Sequence, residues 1–326
     1  MKESELGTAT RAAWLYYVGG YTQAQIARRL NVSSAKAHRL LALAHRSGHV
    51  KVFVEGLPAE CAALEERLTQ QFRLKYCSVI PAVVDSEAGA AASFTALGVG
   101  GARFLYQYLE NSGPTVIGIG QGRTLAATAD RLPHFSHPNM RFVALLGGLT
   151  RKLAASPFDT IYRLAERTGG EGYFLPTPLI ADSVADCEVL WAQKSVQRVL
   201  ALARQCELYL ISIGDMGPHA FMREIGMITA AEYQALGALG AKGDLLAQFL
   251  DADGRLVDCE MNQRSVSLRI HELEGREVVA IAGGLAKTEA IAAALHSGML
   301  TGLVTDEVAA HQILARERAA ASQPAV

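Results

Sequence analysis

Residues 22–48, TQAQIARRLNVSSAKAHRLLALAHRSG, constrain the fold of this chain more tightly than any other stretch. Thr22 followed three residues later by Gln25 has the spacing of a capping box, in which each side chain accepts a backbone N–H that the start of a helix leaves without a partner. Ile26, Ala27 and Leu30 then fall on one face of a short helix. Asn31 and Val32 make a turn. Ser33 can cap a second helix whose apolar positions Ala37, Leu40, Leu41 and Ala44 recur at spacings of three and four. Gly48 is placed to stop it, since glycine takes the left-handed conformation at a helix end without a Cβ clash. Two short helices joined by a tight turn, with one apolar face, read as a helix-turn-helix.

The opposite face of the second helix collects Ala35, Arg39 and Arg46, with Lys36 and His38 at its margins. A helix entering the major groove needs small residues where it approaches bases, and cations or hydroxyls that reach phosphates and base edges. Ser34, Lys36, His38 and Arg39 suit those roles, and Gln23, Ser33 and Arg46 complete the candidate DNA-contacting set. A two-helix hairpin with a solvated basic face shares this pattern, so two further features weigh in. Residues 1–56 hold eight Lys or Arg against three Glu, a net +5, whereas the remaining 23 basic and 29 acidic residues sum to −6. A positive module on a negative body is the footprint of nucleic-acid binding, because neutralised phosphates release counterions. The alternating segment 49–55 resembles the wing of winged helix-turn-helix domains. Residues 11–18 supply a preceding helix, with Trp14, Leu15 and Val18 expected to cover the pair. The DNA-binding domain is therefore placed at 1–56.

A chain of 326 residues, 50% hydrophobic and 19% charged, exceeds one small module, and two domains are expected. No apolar run approaches the roughly 20 residues that span a bilayer, and residues 1–10 are polar, unlike a signal peptide. A cytoplasmic protein with no membrane partner is the expectation. Cys61, Cys77, Cys187, Cys206 and Cys259 are scattered without CxxC pairing, which suits reduced structural thiols and argues for neither disulfides nor a metal site. No cofactor is implied.

Pro58 can sit in the first turn of an amphipathic helix running through Leu64, Leu68 and Phe72, with Glu65, Glu66 and Arg67 exposed. This segment, 57–76, could connect the domains or pair with a symmetry mate. From 77 to 326, short apolar runs at 77–84, 115–120, 142–147, 173–176, 208–214, 278–283 and 302–305 alternate with Ala- and Leu-rich helical stretches. Buried parallel strands with crossover helices look like this, so the expected fold is α/β with a Rossmann-like open sheet.

Ligands of such sheets sit beyond the carboxyl ends of strands. The run VIGIGQGRT at 116–124 turns a strand into a helix. Its glycines let the backbone approach a ligand, and amides at the helix start favour an anion, with Arg123 and the Thr124 hydroxyl as further donors. A phosphate is the sharp reading, and a tight strand-to-helix turn the bland one. Gly118, Gly120 and Gly122 form GxGxG, not GxGxxG, and the next strand lacks a ribose-binding carboxylate, which disfavours a dinucleotide. Other strand ends bring Gly147 and Gly148, Asp215, and Gly283-Gly284 with Lys287. A further loop is expected to begin at Gly243-Asp244. Their convergence would supply amides, a carboxylate for sugar hydroxyls and an ammonium for a phosphate.

These residues carry a family resemblance that covers nearly the whole chain. Tyr16-Tyr17 ahead of TQAQIA (22–27), Gly118-Ile-Gly120, GDLLAQFLDADG (243–254), VAIAGG (279–284) with Lys287, and GLVTD (302–306) together resemble SorC-type transcriptional regulators. The resemblance implies an N-terminal helix-turn-helix and a C-terminal effector domain similar to phosphosugar isomerases and CoA transferases. Sugar phosphates at the strand-end loops and homo-oligomers, dimers or tetramers, are also implied. Carried over, the phosphate loop maps to Gly120, Gln121, Gly122, Arg123 and Thr124, Asp244 to a contact with sugar hydroxyls, and Lys287 to a position near the anion. Gln121 and Arg123 are bulkier than the small residues of many members. GQGRTLAA (120–127) with LLGGLT (145–150) is similar to erythritol-operon regulators. The expected function is a non-enzymatic repressor that binds double-stranded operator DNA of a carbohydrate or polyol operon and is gated by a small sugar, polyol or its phosphate. A phosphosugar isomerase would need an acid/base pair beyond the single carboxylates Asp244 and Asp306. An unregulated architectural DNA binder would need no glycine-rich strand ends.

Overall fold

A computed structural model of the chain describes residues 5–50, 58–82, 89–113, 115–149 and 159–321. At the N-terminus α1 (Glu5–Tyr17), α2 (Gln23–Arg29) and α3 (Ser34–Arg46) form the helix-turn-helix. Gln25 accepts the Thr22 N–H at 2.8 Å and donates its own N–H to the Thr22 hydroxyl at 3.4 Å, while the Ser33 hydroxyl accepts the Lys36 N–H at 3.2 Å. Asn31 (φ 53°) carries the chain through the turn, and Gly48 (φ 72°) ends α3. Ile26, Ala27, Ala37, Leu40, Leu41 and Ala44 form the core of this module with Ala9, Ala12 and Ala13 of α1.

One expectation fails here. Trp14 and Val18 do not cover the helix pair; they are 60% and 68% exposed. Alanines let α1 lie close on α3, so the face bearing small residues wins the contact and the large side chains turn outward. Only Leu15 of the three packs at the edge of the core. The expected wing strand falls largely on 51–57, outside the described residues.

The rest of the described chain is built on strands β1 (Tyr76–Ile80), β2 (Val116–Ile119), β3 (Arg141–Ala144), β4 (Glu171–Tyr173), β5 (Leu208–Ile211), β6 (Ile213–Asp215), β7 (Gly243–Leu245), β8 (Gln248–Leu250), β9 (Glu277–Ile281) and β10 (Gly302–Asp306). Seven of them form one parallel sheet in the order β1-β10-β9-β5-β2-β3-β4. β2 and β5 are buried at every position, as expected of strands covered on both faces. The helix α4 (Ala59–Phe72), with Pro58 as its N-cap, packs on β1 and on the C-terminal helix Glu307–Ala321. Glu65, expected to be exposed, instead accepts the Val79 N–H at 2.8 Å, and burial raises its pKa; Arg67 is half-buried, and of the three only Glu66 is exposed. The long helix α5 (Gly89–Asn111) crosses over from β1 and packs on α6 (Arg123–Arg131).

The sequence runs need four adjustments. β1 stops at Ile80, before Pro81, which has no N–H for a ladder. β3 ends at Ala144, and β4 overlaps the run 173–176, which was expected to form it, only at Tyr173. The run 208–214 breaks at Ser212, so that β6 leaves the main sheet for a small antiparallel one, β6-β7-β8. Gly243 and Asp244 lie in β7 of that sheet and do not open a loop. The hairpin escaped notice because its two turn residues, Leu246 (φ 52°) and Ala247 (φ 58°), hold the left-handed conformation that a two-residue turn requires without the Asn or Gly that normally signals it. All five cysteine thiols are free, and burial pushes Cys77 and Cys206 up to about 12. Among the described residues, no helix is long and apolar enough to cross a membrane.

Candidate effector site and DNA-binding face

From β2 the chain proceeds to β3 and β4 on one side, and β5 then pairs with β2 on the other. The order therefore switches between β2 and β5, where the crossovers diverge and leave a crevice beyond the strand ends. A narrow cleft of about 50 Å³ lies there, lined by residues 120–124, Ser212, Gly214, Asp215, Asp244, Leu246, Ala247 and Lys287, with Phe221 and Met222 from a covering segment. A broader cleft of about 550 Å³ adjoins it, shares Arg123, Asp215 and Lys287, and adds Phe94, Glu224, Gly283, Gly284 and Asp306.

The start of α6 is stapled to both neighbouring strands. Gly122, its N-cap, has φ 137°, and a Cβ there would lie 2.8 Å from the Ser212 hydroxyl. That hydroxyl donates to the Gln121 carbonyl at 2.5 Å, and the Gln121 amide donates to the Gly147 carbonyl at 3.3 Å. The first N–H groups of the helix, which have no partner within it, lie beside the cleft together with buried Thr124. The Arg123 guanidinium lies 4.9 Å from the centre of the Phe94 ring and 5.5 Å from that of Phe221, and it pairs with Glu224 at 3.1 Å.

Asp244 and Lys287 form the buried half of the site. Asp244 accepts the Ala247 N–H at 3.0 Å and so ties the strained hairpin turn to its own strand. It can do so only because residue 214 is glycine: a Cβ there would sit 1.8 Å from the carboxylate. Burial pushes Asp244 up to about 6, helped by nearby Asp215 and opposed by the Ala247 N–H and by Lys287. Lys287 donates to the Ile213 carbonyl; burial lowers its pKa, while Asp215 and Asp244 raise it. Acceptors for hydroxyl groups and donors for an anion thus face one cleft from four strand ends and a hairpin.

The structure gathers most of the effector residues expected from sequence: Gly120, Gln121, Gly122, Arg123, Thr124, Asp244 and Lys287 line the cleft. Gly147 and Gly148 lie behind it, and their amides are spent on the Val266 and Thr177 carbonyls, so only the Gly147 carbonyl serves the site, by fixing Gln121. Ser212, Phe94, Phe221 and Glu224 were missed. Nothing local marks them, since each reaches the site through folding of distant segments.

On the N-terminal module Gln23, Ser33, Ser34, Lys36, His38, Arg39 and Arg46 are all exposed, opposite buried Ala37, Leu40, Leu41 and Ala44. The Ser33 hydroxyl is engaged as the α3 cap.

Residues 58–315 match the family model of a sugar-binding domain (Sugar-bind). The chain is 40% identical over 314 residues to the erythritol catabolism regulatory protein EryD of Brucella abortus, covering 96% of this chain and 98% of that protein. It is 32% identical over 323 residues to the transcriptional regulator LsrR of Klebsiella pneumoniae, covering 97% and 94%. The full-length sorbitol operon regulator SorC from Klebsiella pneumoniae superposes with a TM-score of 0.69 at 26% identity, over 96% of this chain and all of that one (100%).

Proposed function

The chain belongs to the SorC family of sugar-binding transcriptional regulators, and from that premise we propose that it represses a carbohydrate or polyol catabolic operon under control of a small effector. The DNA is held by α3, with Lys36, His38, Arg39 and Arg46 supplying phosphate and base contacts and Gln23, Ser33 and Ser34 the start of each helix. The effector is a short polyol or sugar, or its phosphate. Its hydroxyls face Asp244, and its anionic end faces the amides at the start of α6, Arg123 and Lys287.

The observation that carries this reading is the convergence of residues 120–124, Asp244 and Lys287 on one cleft in a chain that also bears an exposed basic recognition helix. The four-carbon polyol in the name of the EryD relative sets the size of ligand to try first. A homo-oligomer with two-fold symmetry completes the account, because one short recognition helix contacts few base pairs and a symmetric pair reads two half-sites one helical turn, roughly 10 base pairs, or a multiple of it apart. Regulation, not turnover, is the role assigned: Asp244 is committed to the Ala247 N–H, and the relatives that align along the whole chain are named as regulators.

Thermal unfolding of the full chain with a panel of free and phosphorylated polyols tests this. A ligand at 100 times its Kd should stabilise the protein by about 2.7 kcal/mol. A panel without any stabilising member would contradict the proposal.

A further inference from the structure

The anion end of the cleft already holds an anion. Arg123 donates to the Glu224 carboxylate at 3.1 Å while Phe94 and Phe221 flank its guanidinium. Glu224 closes a four-residue helix, Phe221–Glu224, within a segment that ends at Gly226 (φ 71°). That segment is fastened at both ends. The Tyr233 hydroxyl donates to the Met216 carbonyl and, at 2.7 Å, to that of Gly217, and a capping box between Thr229 and Glu232 starts the next helix. Met222 is buried beneath it.

The Glu224 side chain, in contrast, is held only at its tip. It is 42% exposed, and its other oxygen lies 3.4 Å from His219, whose side chain is 88% exposed. A half-exposed pair of this kind contributes little stability, so the carboxylate can swing into water while the anchored backbone stays in place.

We propose that Glu224 is a built-in competitor for the anion subsite, seated on Arg123 in the ligand-free protein and displaced when a phosphate-bearing effector enters. The inference rests on the assignment of Arg123 to the effector's anionic end. A phosphate dianion can replace the carboxylate because it makes several charge-assisted hydrogen bonds at once, to Arg123, Lys287 and the amides of α6. A chloride ion or a single carboxylate offers less and is turned away. A neutral polyol has no charge with which to displace Glu224 and leaves the pair closed. Glu224 thus sets the cleft's preference between phosphorylated and free ligands.

Calorimetry on the full chain with inorganic phosphate and, separately, erythritol tests the assignment in wild type, Glu224→Gln and Arg123→Gln. The glutamine keeps the size of the side chain and an acceptor for Arg123 but removes the competing charge. Phosphate should bind Glu224→Gln about tenfold more tightly than wild type, equivalent to 1.4 kcal/mol, with the ratio of phosphate to erythritol affinity rising in step. Equal phosphate affinity in wild type and Glu224→Gln, with Arg123→Gln still weakening it, overturns the competitor but keeps the anion subsite. Phosphate binding indifferent to both substitutions, or absent from all three proteins, overturns the subsite itself and the competitor with it.

Discussion

On α3 the cations Lys36, Arg39 and Arg46 stand in water on a helix whose other side packs against alanines and leucines. In the effector cleft Lys287 is buried beside Asp244 and Asp215, and Arg123 carries Glu224. On the proposed reading, the first arrangement presents charge ready for use, attracting any phosphate backbone with an affinity that salt weakens. The second compensates charge internally, so a ligand enters by exchanging partners, and selectivity comes from what it can replace. On the same proposed reading, affinity for the long polymer and discrimination among small molecules belong to different parts of one chain.

The comparison breaks most visibly at Gly214. A Cβ placed 1.8 Å from the Asp244 carboxylate must dislodge either β6 or the hairpin turn. Gly214→Ala should cost about 3 to 4 kcal/mol, in the range of severe overpacking, and abolish effector binding. The module α1–α3, with its own separate core, should keep its helices and its non-specific DNA affinity. Thermal unfolding followed by circular dichroism, with DNA binding measured on the same sample, checks both halves.

A smaller effect sharpens the contrast through pH. The folded-state pKa of Asp244 is raised from 3.8 to about 6, so between these values the unfolded chain gives up this proton first. Its contribution to stability is therefore fully present below pH 4, falls as pH rises towards 6 and then levels off, a loss on the order of 3 kcal/mol. Asp244→Asn should flatten that portion of the stability profile. Erythritol affinity should decline as pH drops from 7.5 to 5.5 in wild type, because the ionised carboxylate is the better acceptor. An identical pH profile in the variant would remove Asp244 from the hydroxyl end.

The smallest effects belong to the exposed helix, where each side chain acts nearly alone. Arg39→Ala or Lys36→Ala should weaken operator binding by about 1 to 3 kcal/mol if a base contact is lost. Loss of a phosphate contact should weaken all sequences alike and lower the salt slope by about 1. The effector domain should be untouched. Titrations of specific and scrambled DNA across salt concentrations separate these outcomes.

The same division explains what the sequence disclosed. The two helices of the motif, their caps at Thr22 and Ser33 and the stop at Gly48 were legible because each depends on residues within four positions of one another. Trp14 and Val18 misled because hydrophobicity alone favours large side chains at a contact, whereas close helix packing selected Ala9, Ala12 and Ala13. The parallel strands showed themselves as apolar runs, and the loop after β2 as a glycine-rich turn into a helix. The β7–β8 hairpin did not, since Leu246 and Ala247 occupy a turn that their identities disfavour, sustained by Asp244. Gly147 and Gly148 looked like amides free for a ligand, but their N–H groups are spent on backbone partners. Glu224 was invisible because its partner Arg123 is 101 residues away and no local pattern links them.

The central claim is that occupancy of the cleft and grip on DNA are coupled, and reciprocal binding measures it most directly. Operator affinity is determined with and without a saturating four-carbon polyol phosphate, and affinity for that polyol phosphate with and without saturating operator, in wild type and Lys287→Ala. The account predicts the same factor in both directions, about tenfold or 1.4 kcal/mol, and its disappearance in Lys287→Ala, which still binds operator when ligand-free. Operator affinity that stays constant while the polyol phosphate demonstrably fills the cleft would contradict it.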